Sequence, residues 1–254
     1  MSALPQPAAG GPPASTPVPR PPLVRSRGRT HKWLVYLARA LGRVLVPSYF
    51  RVQVLGAEHV PREGPVLLAG NHTSFLDGPL VFSMAPRVAV FYIKEEMYDG
   101  PVARPLDWLG QIPINRGRPD RRALRRGLAA LRAGEAIGMF PEGSRGAGDL
   151  GTVQHGIAYL ALKAGCPVVP VACLGSAAAL PPGTGRPRWK APIAVVFGPA
   201  FEIQNSIDPC TRRASAEAAE QIRVRLAAHV AAATAQLGWP AGPTPNGPRA
   251  TTQP

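Results

Sequence analysis

The sequence predicts an α/β fold: a mostly parallel or mixed sheet flanked by helices. Three observations predict it. Short apolar runs of strand length alternate with longer stretches of helical periodicity, the pattern of a sheet covered on its faces. At 254 residues and 45% hydrophobic content, the chain can bury one sizeable core. Pro/Gly-rich, low-complexity ends confine that core to a single domain, placed at residues 48–238.

The elements follow in order. Residues 1–30 are dominated by Pro, Ala, Ser and Gly with four arginines, and cannot bury enough apolar surface to order themselves. They read as a disordered basic arm, and without a continuous apolar segment they are not a secretory signal. Over residues 31–47, Trp33, Leu34, Leu37, Leu41, Val44 and Leu45 recur at helical spacing, with Lys32, Arg39 and Arg43 gathered elsewhere. This predicts an amphipathic helix. It either lies in a membrane interface with its arginines near phosphates, or docks on the protein's own core; the pattern fits both. No uncharged apolar stretch reaches the roughly 18 residues that a spanning helix needs.

Strands are expected at Arg51 to Val54, Val66 to Ala69, Val88 to Ile93, Ala136 to Phe140, Val168 to Cys173 and Ile193 to Phe197. Helices are expected from Pro119 to Ala133, from Val153 to Ala164, and from Asp208-Pro209 to Leu237, where Gly238 suits a C-terminal stop. Residues 239–254, rich in Pro, Gly and Thr, read as a loose tail. Cys166, Cys173 and Cys210 are odd in number and lack metal spacing, and two lie in apolar segments as small hydrophobes.

Charge is localised. Of the net +14, residues 1–57 carry eight Lys/Arg with no acid, and residues 116–132 carry seven Arg against Asp120 alone; the remainder is balanced. Two basic zones on a neutral body seek an anionic surface, either nucleic acid or a negatively charged membrane leaflet. Arg118, Arg121, Arg122, Arg125 and Arg126 make a broad basic helical face that is either a solvated surface or a binding site for lipid headgroups or the phosphates of an acyl carrier.

The motif richest in chemistry is Asn71-His72-Thr73-Ser74-Phe75-Leu76-Asp77, directly after the strand run Val66-Leu67-Leu68-Ala69. Strand ends are where α/β proteins keep their chemistry. A carboxylate five residues from a histidine can fix its tautomer and favour the imidazolium formed on proton uptake, so His72 and Asp77 are a candidate general base and its partner. The same residues fit a helix capping box with Ser74 as N-cap and Asp77 reaching back to its backbone N–H. Two further segments end in arginine: Gly110-Gln111-Ile112-Pro113-Ile114-Asn115-Arg116, and Phe140-Pro141-Glu142-Gly143-Ser144-Arg145. Taken singly, Gly143 fits an ordinary turn and either arginine fits a solvated charge.

In order, Asn-His-x4-Asp, Gly-x-x-x-Ile-x-Arg, Phe-Pro-Glu-Gly-Ser-Arg and Val169-Pro170-Val171 resemble the four sequential blocks of the glycerolipid acyltransferase family, typified by 1-acylglycerol-3-phosphate acyltransferases. The resemblance runs from about Val52 to Leu237. It implies His72 as general base and Asp77 as its orienting partner, with Arg116, Glu142, Gly143, Ser144 and Arg145 at the acceptor site. Lys94 is similar to an additional lysine on the phosphate side. One departure stands out: where the family shows a Phe-Lys-x-Gly-like segment, this chain has Val153-Gln154-His155-Gly156, without the lysine.

The resemblance implies transfer of a fatty acyl group from acyl-CoA or acyl-carrier protein to a lysophosphatidate hydroxyl, in phospholipid synthesis. Glycerol-3-phosphate, another lysophospholipid or a glycolipid are alternative acceptors. No metal and no cofactor beyond the acyl co-substrate is expected. The partners expected are a lipid acceptor and an anionic membrane surface, at the cytoplasmic face of the cell membrane with peripheral or monotopic attachment; the resemblance thereby implies that the helix over residues 31–47 is an amphipathic membrane-surface helix. With no Gly-x-Ser-x-Gly elbow, Ser74 and Ser144 are poor nucleophiles, and direct transfer without an acyl-enzyme is the simpler expectation. The competing class is a non-enzymatic binder of membrane or nucleic acid. It accounts for the charge but not for the strand-end motifs, and the arginine helix lacks interleaved aromatics for base stacking, so nucleic acid is not expected.

Overall fold

The apolar runs form a seven-stranded sheet in a computed structural model that describes residues 31–115, 120–141, 155–181, 185–204 and 211–239. The strands are β1 (Arg51–Leu55), β2 (Val66–Gly70), β3 (Ala89–Lys94), β4 (Ile112–Ile114), β5 (Ala136–Met139), β6 (Val168–Leu174) and β7 (Pro192–Phe197), in the order β1-β7-β6-β2-β5-β3-β4. β2 pairs in parallel with both β5 and β6, and β3 lies parallel between β5 and β4. β7 is antiparallel to β6 and carries β1 with it, so the sheet is mixed. All five residues of β2 are buried, as its uninterrupted apolar sequence requires of a strand covered on both faces.

Helices α1 (Lys32–Tyr49), α2 (Asp77–Met84), α3 (Ala103–Trp108), α4 (Arg121–Arg132), α5 (His155–Ala164), α6 (Ser176–Ala179) and α7 (Arg212–Gln236) complete the described chain. The strand period of two sorts the core into layers. Val66 and Leu68 pack with Leu80 and Val81 of α2 on one face, while Leu67 and Ala69 pack with Leu131 of α4, Ile157 of α5 and Ile222 of α7 on the other. Leu67 and Leu68 are fully buried, and truncating either to Ala costs about 2–5 kcal/mol.

Several boundaries differ from the sequence expectations. The first helix continues past Pro47 to Tyr49, where the Phe50 N–H still reaches the Val46 carbonyl at 2.8 Å. α4 begins at Arg121 rather than Pro119, because Asp120 is its N-cap and accepts from the Arg122 and Ala123 N–H groups. α7 is capped by Thr211, whose hydroxyl accepts from Ala214 N–H; Asp208 and Pro209 lie outside the described residues. Gly238 ends that helix as expected, with φ of 61°. β4 went unpredicted: it is three residues long, contains Pro113, and survives as an edge strand paired only to β3.

The arginines of α1 require a correction. They do not point to a lipid surface: Arg39 is 6% exposed, its Nε donates to the Phe82 carbonyl and its Nη2 to that of Ala85. Arg43 donates to the Ser83 and Ala85 carbonyls. Together they satisfy the orphan acceptors at the C-terminal end of α2, where the helix dipole also favours a cation. The large apolar residues face outward instead, with Trp33, Tyr36, Leu37, Leu41, Val44 and Leu45 all exposed. No helix among the described residues is long and apolar enough to cross a membrane.

Candidate active site

β2 delivers Asn71 and His72 to its carboxyl end, and the turn that follows leads into α2. Asn71 extends the sheet with its side chain. Its Nδ2 donates to the Cys173 carbonyl at 3.1 Å and its Oδ1 accepts from the Cys173 N–H at 2.7 Å, locking the loop to the end of β6. A second tie joins the Thr73 and Ser176 hydroxyls at 3.0 Å.

His72 and Asp77 meet as the spacing predicted. His72 Nδ1 lies 3.1 Å from Asp77 Oδ2, with the histidine 9% exposed and the aspartate fully buried. The same oxygen accepts from the Thr73 and Ser74 N–H groups, both at 2.7 Å. Asp77 therefore does both jobs, reaching back to the Ser74 backbone while holding the imidazole. The capping box is only half formed: Ser74 Oγ accepts from Leu76 N–H, and Leu76, without a side-chain bond, is the residue preceding α2. Three donors on one buried oxygen stabilise the carboxylate and fix the ring's orientation.

The third sequence block enters through Phe140, whose ring stacks on the His72 imidazole at 4.5 Å between centroids and 20° between planes. This contact was not anticipated. Gly70 permits it: a Cβ there would lie 2.8 Å from Phe140 Cε1. Glu142, Gly143, Ser144 and Arg145 lie outside the described residues, as does Arg116. Asp120 Oδ2 accepts from the Asn115 N–H at 3.2 Å while Asp120 Oδ1 caps α4, so one side chain joins the end of β4 to the start of α4. Asp120, the single acid in the arginine-rich segment, was the legible signal for that role.

Lys94 ends β3 on the same sheet edge, two strands from His72 and hence about 10 Å aside. Its ammonium pairs with Glu96 at 3.3 Å in an exposed position. His155 starts α5 and is exposed, consistent with an ordinary polar residue. Cys166 and Cys173 are buried thiols; burial lifts Cys166 to about 11, and burial followed by the Asp77 charge raises Cys173 well above the ordinary thiol value. Among the described residues no group of His, Cys, Asp and Glu is placed to hold a metal ion.

A family model described as Acyltransferase matches residues 51–174, from the start of β1 to the end of β6, enclosing His72, Asp77 and the strand-end loops. That segment is similar to the acyltransferase family. The chain is 27% identical over 154 residues to a chloroplastic 1-acyl-sn-glycerol-3-phosphate acyltransferase of Brassica napus, covering 59% of this chain and 44% of that one. It is 36% identical over 149 residues to a lyso-ornithine lipid O-acyltransferase of Pseudomonas aeruginosa, covering 56% and 52%. The chain thus spans about half the length of these curated relatives. The crystal structure of the 1-acyl-sn-glycerophosphate acyltransferase from Thermotoga maritima shares the fold, with a TM-score of 0.62 at 23% identity over 84% of this chain and 83% of that one.

Proposed function

We propose that this acyltransferase moves a fatty acyl group from acyl-CoA or acyl-carrier protein to the free hydroxyl of lysophosphatidate, forming phosphatidate. The observation that carries the reading is the buried His72–Asp77 pair at the carboxyl end of β2, held by three hydrogen bonds to one carboxylate oxygen. In this mechanism the acceptor hydroxyl gives its proton to His72 Nε2 as its oxygen attacks the thioester carbonyl. The tetrahedral intermediate collapses, the C–S bond breaks, and the imidazolium returns the proton to the departing thiolate. Asp77 keeps the ring in the required tautomer and stabilises the imidazolium; such general-base help is worth about 10² to 10⁴ in rate. No covalent acyl-enzyme and no metal step is invoked. Arg116 and Arg145, aided by Lys94, supply cationic donors for the acceptor phosphate, with Glu142, Gly143 and Ser144 completing the acceptor site.

The enzyme meets its acceptor at the cytoplasmic face of the membrane, attached peripherally through the outward apolar stripe of α1. What supports this is the exposure of Trp33, Leu37, Leu41 and Val44 along one side of the helix.

A second acceptor class has a specific observation behind it. The relative at 36% identity is named for a lyso-ornithine lipid, whose headgroup is an amino acid, and this chain lacks the family's lysine in Val153-Gln154-His155-Gly156. An acceptor panel separates the two: thiol release from acyl-CoA and from acyl-carrier protein, with lysophosphatidate, lyso-ornithine lipid and glycerol-3-phosphate. Preference for lysophosphatidate, lost in a folded His72→Ala variant, is expected. Near-normal turnover in that variant eliminates the mechanism. Arg145→Lys should raise the acceptor KM and leave the donor KM nearly unchanged, because a lysine cannot reproduce the guanidinium fork.

A further inference from the structure

A cavity of about 800 Å³ lies at the opposite end of the sheet from His72. Its walls come from the segments that precede β2, β3, β4 and β5, including Arg62, Arg87, Leu109 and Glu135, and from the first turns of α1. His72 follows its strand, so a five-residue strand, about 16 Å, separates the two sites. The volume is that of a small-molecule site.

Its charge is unbalanced. Lys32, Arg39, Arg62 and Arg87 line it against one carboxylate, Glu135. Arg39 is the telling member: it is 6% exposed, its hydrogen bonds go to neutral carbonyls, and no carboxylate among the described residues lies within ion-pair distance. Burial lowers its pKa, and the like charge of Arg43 lowers it further. Arg87 likewise donates to the Pro61, Gly64 and Gly134 carbonyls, with Glu63 and Glu135 acting only from beyond ion-pair range. Buried cations are ordinarily paired, and a buried guanidinium without a carboxylate partner, set with three further cations around open volume against one lining carboxylate, calls for an anion.

The mouth says which kind. Lys32 and Tyr36 line the cavity and are exposed on α1, beside the outward Trp33 and Leu37, so part of its rim adjoins the helix's apolar stripe. Val35 and Val88 give the interior an apolar wall. We propose that this cavity binds an anionic phospholipid, its phosphate held by Arg39, Arg62 and Arg87 and its glycerol and upper acyl carbons against Val35 and Val88. The choice of a lipid over a free anion rests on α1 lying at a membrane; the charge argument is independent of the reaction at His72.

The test follows thermal unfolding of the full chain without acyl donor, titrated with dihexanoylphosphatidylglycerol, dihexanoylphosphatidylcholine or inorganic phosphate, each lipid below its micelle concentration. A ligand that binds the native state raises Tm with concentration. The glycerol lipid should do so, and the choline lipid and phosphate should not. Arg62→Glu and the cavity-filling Val88→Trp should weaken apparent binding at least tenfold, with acyl transfer to a detergent-dispersed acceptor unchanged. His72→Ala should bind the lipid like the wild type. Equal shifts in wild type and Arg62→Glu overturn the proposal, as does inorganic phosphate matching the glycerol lipid. If Val88→Trp does not fold, the exposed Arg62→Glu still decides. Loss of acyl transfer in the wild type would sink the proposed reaction and leave this result standing.

Discussion

Replacing Asp77 with Asn probes the site most sharply, because the change keeps the shape and removes only charge and acceptor capacity. Asp77 Oδ2 takes three hydrogen bonds, from His72 Nδ1 at 3.1 Å and from Thr73 and Ser74 N–H at 2.7 Å, while Oδ1 is buried with no hydrogen-bond partner among the described residues. An asparagine must place its NH2 somewhere. With its carbonyl in the Oδ2 position, the amide nitrogen falls where Oδ1 lay, buried without an acceptor. Flipped, it confronts three donors. The first arrangement costs about 1–3 kcal/mol for a desolvated, unpaired amide. At about 2–4 °C per kcal/mol for a domain of this size, Tm should fall by roughly 2–12 °C. Turnover loses more, since the imidazolium loses its counter-charge and the ring its preferred tautomer: kcat should drop about 10²- to 10⁴-fold, with the acceptor KM nearly constant. Calorimetry and thiol release, measured on one preparation, read both effects. An asparagine variant with unshifted Tm and at least half the wild-type rate would refute the reasoning, because neither charge nor acceptor capacity would then matter at this position.

Three further expectations follow from other contacts. Phe140→Leu keeps apolar volume but removes the ring stacked on His72; losing about 0.5–1.5 kcal/mol of aromatic contact should lower kcat about 2- to 10-fold, and an unchanged rate would make the stack incidental. His229 has a lowered pKa, chiefly from burial, so the unfolded chain takes up a proton that the folded protein resists. Stability should therefore fall as pH drops below about 6.5, and His229→Gln, measured against wild type at pH 7.5 and 5.5, should show a shallower loss of Tm. Leu37→Glu with Leu41→Glu changes only exposed positions, and should abolish the salt-resistant part of binding to anionic vesicles; full binding at high salt would move the attachment elsewhere.

The sheet was legible because its strands are buried on both faces and read as unbroken apolar runs, as in Val66-Leu67-Leu68-Ala69. β4 was not, since three residues with a proline give no periodicity, and only pairing with β3 makes them a strand. At the site, the His72–Asp77 contact followed from spacing alone. The stack of Phe140 on His72 is set by tertiary contact between residues 68 positions apart, and its one local sign is Gly70, a residue that sequence reasoning passes over as a strand end. The tie between Asn71 and Cys173 was hidden for the same reason.

Charge counting misled at α1, and the reason is general. Net charge records how many cations a segment carries, not what they face. Arg39 and Arg43 turn inward and donate to the carbonyls that end α2, so the outer side of the helix offers a membrane apolar surface more than positive charge. The second basic zone behaves oppositely. Arg121, Arg122, Arg125 and Arg132 stand exposed on α4 with no large apolar residue exposed beside them. The two helices belong to opposite faces of the sheet, α1 packing with α2 and α4 with α5. A bilayer meeting the apolar stripe of α1 therefore leaves the α4 arginines turned to solvent, where their attraction is screened within about 8–10 Å at ordinary ionic strength. Salt should consequently act on whatever anion approaches α4 far more strongly than on membrane attachment itself, which is why the salt-resistant fraction of vesicle binding is the quantity that reports on α1. It also makes removal of residues 1–47 a poor substitute for the paired glutamates, because deleting Arg39 and Arg43 uncaps α2, the helix whose first residue is Asp77.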